Sequence, residues 1–150
     1  MGIYDREYYR DKTRGSGWLS GEAPACKVII AINIGVFIAQ KMLPPGMVDE
    51  LFRANNDQIF HHFQVWRLLT ATFLHADVWH ILFNMLFLWM VGREMESFYG
   101  TPDFIALYVS SAIFSTLCWA VAVTFDPTPG FHTMVGASGA VMAVVVLYTL

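Results

Sequence analysis

The 22 residues from Phe104 to Phe125 contain no Asp, Glu, Lys or Arg. At 1.5 Å per residue such a run is about 33 Å long as a helix, enough to cross a ~30 Å hydrocarbon core. A chain carrying it buries it in lipid, where the helix satisfies every backbone polar group internally. The composition agrees: 56% of the residues are hydrophobic and only 14% charged, against about a quarter charged in a soluble domain. Ser110, Ser111, Ser115 and Thr116 break the run with small hydroxyls that suit close packing against neighbouring helices.

Three further apolar runs accompany it. Cys26 to Leu43 has an uncharged core from Val28 to Ala39, lengthened at both ends by Lys27 and Lys41, whose ammonium groups reach opposite interfaces. Pro44-Pro45-Gly46 ends it. Trp79 to Val91 is the core of a second span, stopped by Gly92-Arg93-Glu94, and Met134 to Leu150 carries no charge. The expected fold is all-α, a polytopic transmembrane helical bundle with spans at about 26–43, 77–99, 104–125 and 134–150. Residues 25–150 form the membrane domain, and residues 1–24 form a polar tail without the apolar core of a secretory signal peptide. Arg6, Arg10, Lys12, Arg14 and Lys27 precede or open the first run, so the N-terminus is expected in the cytoplasm. The chain then reads as a multi-pass integral membrane protein with residues 44–76 on the far side.

That connection holds two amphipathic pieces, Met47-Val48 with Leu51-Phe52 and Ile59-Phe60 with Phe63 and Trp66. It is expected to lie on the membrane surface or in the outer leaflet. Arg67 beside Trp66 needs carbonyl partners at such an interface. His61-His62 reads as a surface pair without a metal. Asp126-Pro127-Thr128-Pro129-Gly130 marks an outer turn. Cys26 and Cys118 fall at different depths, so no disulfide is expected.

Polar residues inside these runs are the candidates for chemistry, because lipid makes them costly. His80 and Asn84 are four apart and share a helix face; His75 belongs to another face or to the preceding loop. Ser138 stands in Gly136-Ala137-Ser138-Gly139-Ala140. On that stretch alone, close helix packing through Gly136/Ala140 and Gly139/Ala143 is the favoured reading over a nucleophile. With the topology above, however, Ser138 lies about four residues into its helix and Asn84 about seven into another, both entered from the outer face. Serine, asparagine and histidine then share one layer. A serine needs a base for its proton and donors for the developing oxyanion, and this layer reads as an acyl-transfer site in a membrane cavity. Gly92, Glu96 and Gly100, spaced by four, read as a structural packing set.

Taken in order, Trp66-Arg67, His75-x4-His80-x3-Asn84, Gly92-x3-Glu96-x3-Gly100 and Gly136-Ala137-Ser138-Gly139 resemble a rhomboid intramembrane serine protease over residues 25 to 150. The resemblance implies six core helices, four of them in this sequence. It makes Ser138 the nucleophile and gives Asn84 and His80, with the Ser138 backbone N–H, to the oxyanion site. His75, Trp66, Arg67, Gly136, Gly139 and Glu96 become structural supports. It implies cleavage of single-span transmembrane proteins within the bilayer, with no cofactor, no metal and no nucleic acid. The family's general base is a histidine on the sixth helix, whereas no histidine follows Ser138 here. His132 precedes the last run, and His80 remains open as a base on spacing alone. The sequence therefore reads as a fragment ending inside the fourth helix, inactive by itself. The alternative is a catalytically inactive rhomboid-like protein that binds membrane clients. A transporter would show inverted repeats, and none is evident.

Overall fold

The computed structural model of the protein describes residues 22–125 and 133–150. Most of the expected polar tail, the turn Asp126–Gly130 and His132 lie outside the described residues. Helix α1 runs Pro24–Met42, with proline in the first turn, where no N–H is needed. The connection that follows folds into short pieces: α2 (Met47–Phe52), strand β1 (Ala54–Asn55), α3 (Asn56–Phe60) and α4 (Arg67–Thr70), continued by a 3₁₀ turn at Ala71–Phe73. The chain then bends by 97° into α5 (Val78–Phe87), a π-helical turn (Leu88–Gly92) and α6 (Arg93–Tyr99), which together form one rod. Helix α7 spans Thr101–Thr124, strand β2 is Thr133–Met134, and α8 is Ser138–Thr149.

Helices α1 and α7 are each long and apolar enough to cross a membrane, and the bent pair makes a third candidate. The protein is an integral membrane protein with a helical core. Its large apolar side chains divide between two environments. Leu88, Phe104, Tyr108 and Val144 are buried between helices, whereas Ile38, Phe83, Phe114 and Val121 are exposed along the outer faces. A water-facing surface of that kind would promote aggregation, whereas in lipid it is ordinary solvation.

Close approach of the helices depends on small residues and one carboxylate. A β-carbon at Gly92 would sit 3.2 Å from Cys26 Sγ and 3.3 Å from Phe104 Cζ, so α1, the π turn and α7 meet there. The Cys26 thiol donates to the Leu88 carbonyl at 3.3 Å, a group whose helical bonding the π turn disturbs. Glu96 accepts from the Ala25 and Cys26 backbone N–H groups at 3.0 and 2.8 Å and from Thr101 Oγ1 at 2.7 Å. It thereby caps α1 from α6, and a negative charge there suits the positive end of the helix dipole. Both cysteines are free.

Arg67 organises the 44–76 connection. It is 6% exposed. Its Nη1 and Nη2 donate to the Arg53 and Glu50 carbonyls at 2.7 and 2.6 Å, and its Nε donates to Gln64 Oε1 at 2.6 Å. Thr70 Oγ1 donates to the Phe52 carbonyl, and Trp66 Nε1 to the Leu51 carbonyl. Ala54, Ile59 and Ala71 pack on Ala120 of α7, with Trp119 and Met134 around them. The connection is thus a folded layer seated against the C-terminal end of α7.

One expectation needs correcting. The apolar run from Met134 was expected to be helical throughout, with Ser138 one turn inside. Instead Thr133 and Met134 pair antiparallel with Asn55 and Ala54. Gly136 has φ +119, a conformation outside the right-handed helix that L side chains rarely adopt. Ser138 is therefore the first residue of α8.

Candidate active site

Ser138 is held in place from three directions. Upstream, β2 is fixed to β1, and the Gly136 N–H donates to the Ala71 carbonyl at 2.9 Å. Downstream, the first helical bond of α8 runs from the Val141 N–H to the Ala137 carbonyl at 2.9 Å. Laterally, Gly139 meets Ser115 of α7 so closely that a β-carbon would come within 2.6 Å of Ser115 Cβ. Gly136, Ala137 and Ala140 are buried, whereas Ser138 itself is exposed. No side chain caps this helix start, and the N–H groups of a first turn lack intrahelical acceptors.

His80 lies on the first turn of α5. Asp77 caps that helix, its Oδ1 accepting the His80 backbone N–H at 2.8 Å. The imidazole packs on Gly136: a β-carbon there would stand 2.6 Å from Cε1 and 2.7 Å from Nε2. The structure thus brings His80 against the backbone two residues before Ser138. Asn84 follows one turn along α5, 7% exposed, with its Nδ2 buried and without a hydrogen-bond partner. A buried amide donor left unpaired costs free energy.

His75 sits in the short link between the 3₁₀ turn and α5 and is 1% exposed. Both ring nitrogens are buried, with the Phe73 backbone as their polar neighbour. Its ring meets the His80 ring edge-on, with centroids 5.1 Å apart and planes at 70°. Trp66, Arg67 and Glu96 are remote in role: they hold the connection and the α1 start, as described above. Two participants carry no local motif, the Ala71 carbonyl and the β1 strand: both act through backbone, which has no sequence signature. Among the described residues, no group of three His, Cys, Asp or Glu is arranged to hold a metal.

The structure therefore places an exposed serine at an uncapped helix start and packs the His80 imidazole two residues before it, with Asn84 one turn further along α5. Comparison with known proteins agrees with the fold. Residues 62–150 match the family model of the Rhomboid domain. That match takes in more than half of the chain, and the chain belongs to the rhomboid family. It is 29% identical over 133 residues to Rhomboid protease GluP of Bacillus subtilis (strain 168), covering 87% of this chain and 25% of that protein. It is 36% identical over 122 residues to Rhomboid-like protease 3 of Toxoplasma gondii, covering 77% and 46%. To Rhomboid protease GlpG of Yersinia enterocolitica it is 29% identical over 96 residues, covering 64% and 34%. The chain spans between a quarter and a half of the length of these curated relatives.

Proposed function

We propose that this chain contributes the nucleophile and the oxyanion site of an intramembrane serine endopeptidase that cuts single-span membrane proteins. The observation that carries the reading is the packing of His80 on Gly136, which joins the α5 polar face to the segment presenting Ser138. Ser138 Oγ attacks the scissile carbonyl. Asn84 Nδ2, His80 and the Ser138 N–H stabilise the oxyanion, and the free N–H groups of the α8 start add to the local positive potential. The tetrahedral intermediate then breaks the C–N bond and expels the amine-side fragment, which takes the proton held by the base, and water hydrolyses the remaining acyl ester to free Ser138 and the acid-side fragment. The proton acceptor is a histidine of a later helix, as the family resemblance implies, with His80 as the runner-up.

We further assign a cytoplasmic N-terminus, four spans and a position for residues 44–76 on the non-cytoplasmic membrane surface or in the outer leaflet. The basic cluster Arg6 to Lys27 supports that orientation. A cysteine placed at Asn55 should label from the non-cytoplasmic side; labelling only from the cytoplasm overturns it.

The function is tested by co-expressing residues 1–150 with the family's remaining two spans as a separate polypeptide, then assaying cleavage of a single-span substrate. Residues 1–150 alone should not cleave. Activity that requires both Ser138 and a histidine on the second piece supports the dyad. Cleavage by 1–150 alone, abolished by Ser138→Ala, transfers the base to His80. Substrate capture without cleavage, in the complemented pair, identifies an inactive client-binding protein instead.

A further inference from the structure

Gln40 joins three separate segments near the C-terminal end of α1. Its Oε1 accepts the His75 backbone N–H at 3.1 Å, and its Nε2 donates to Asp49 Oδ1 at 2.9 Å. The contact with His75 spans 35 positions of sequence and the one with Asp49 spans nine. One amide thus ties α1, the first turn of α2 and the link that carries His75.

That link leads straight to the site. The nearest polar neighbour of the His75 ring is the Phe73 backbone, on the same link, so it is packing and the Gln40 bond to the His75 backbone that tie this link to α1. The His75 ring in turn meets the His80 ring. Asp77 fixes the His80 backbone, but the His80 ring is located by what flanks it, His75 on one side and Gly136 on the other. We propose that Gln40 is a positioning residue: by holding the His75 backbone it sets the place of the His80 ring against Gly136, and hence the alignment of the Ser138 site. The proposal rests on the reading of Ser138 as nucleophile only for its effect on turnover; its effect on the His80 ring stands apart from it.

The chemistry of the position is restrictive. A primary amide offers an acceptor and donors on one short stem. Glutamate keeps the acceptor for His75 but turns a second acceptor towards the Asp49 carboxylate, replacing a hydrogen bond by repulsion. Alanine leaves the His75 N–H without this acceptor in a part-buried site, a state that favours rearrangement of the link. Changing Asp49 to asparagine beside a glutamate reverses the donor and acceptor and restores both bonds.

The test uses the full-length protein in lipid nanodiscs with ¹³C-labelled histidine. Ring signals of His75 and His80 are recorded for the parent, Gln40→Ala, Gln40→Glu, and Gln40→Glu combined with Asp49→Asn. Both single variants should shift the His80 ring signal and lower kcat by ~10–10²-fold with KM nearly unchanged, the scale of a misplacement of about 1 Å. The double variant should return the signal and kcat towards the parent. If a single variant does not fold, recovery in the double variant still decides the matter. An unshifted His80 signal in Gln40→Ala, or a double variant that recovers nothing lost in Gln40→Glu, overturns the proposal. If the parent protein cuts no substrate, the protease reading falls, while the ring signals still decide the role of Gln40.

Discussion

The His80 imidazole rests on Gly136 with no room between them for a single methyl group. Two separate demands therefore fall on position 136. The backbone holds φ +119, and the ring occupies the space a side chain would need.

Gly136→Ala should accordingly be severe. The new residue is strained by its backbone, at a cost of about 1–3 kcal/mol, and its methyl pushes the His80 ring away. Turnover of the complemented enzyme should fall by ~10² or more, with a lower midpoint of thermal unfolding. Retained turnover would show that His80 does not have to sit on Gly136.

Asn84→Ala separates catalysis from packing. If the amide acts on developing charge, kcat falls by ~10²–10³, the loss seen when one oxyanion donor is removed from a soluble serine protease. KM should stay within about twofold. A loss confined to KM would make Asn84 a packing residue.

Arg67→Lys tests the connection. Lysine retains the charge but lacks the planar fork that serves the Glu50 and Arg53 carbonyls together with Gln64. Residues 47–60 should lose protection from hydrogen exchange, with a local destabilisation of about 1–3 kcal/mol. Unchanged protection there would mean that the contact on α7 alone holds the layer.

Hydropathy made the helices legible because lipid imposes one rule on every spanning residue. Helix α7 begins at Thr101 rather than Phe104 because the polar Thr101-Pro102-Asp103 suits a helix start, with proline in the first turn and a carboxylate near the positive dipole end. The residue types of the candidate site were visible for a related reason, since His80, Asn84 and Ser138 stand out in apolar surroundings. Their seating was not. Met134 and Val135 look as helical as any apolar pair, and what draws Met134 out of the helix is pairing with Ala54, 80 positions earlier. Gly136 was the one local clue, and a glycine is equally at home in a packed membrane helix. Gln40 was silent because its partners, Asp49 and His75, meet it only after the connection has folded.

The two-residue ladder between β1 and β2 also carries a consequence for biogenesis. Its halves are made far apart in time, and neither has a partner until α7 has been inserted and the chain has returned. The serine's seat is therefore closed late, by the joining of an early segment to a late one. During synthesis Ser138 therefore has no fixed position, and the segment that presents it acquires its shape only when the 44–76 connection and β2 have joined.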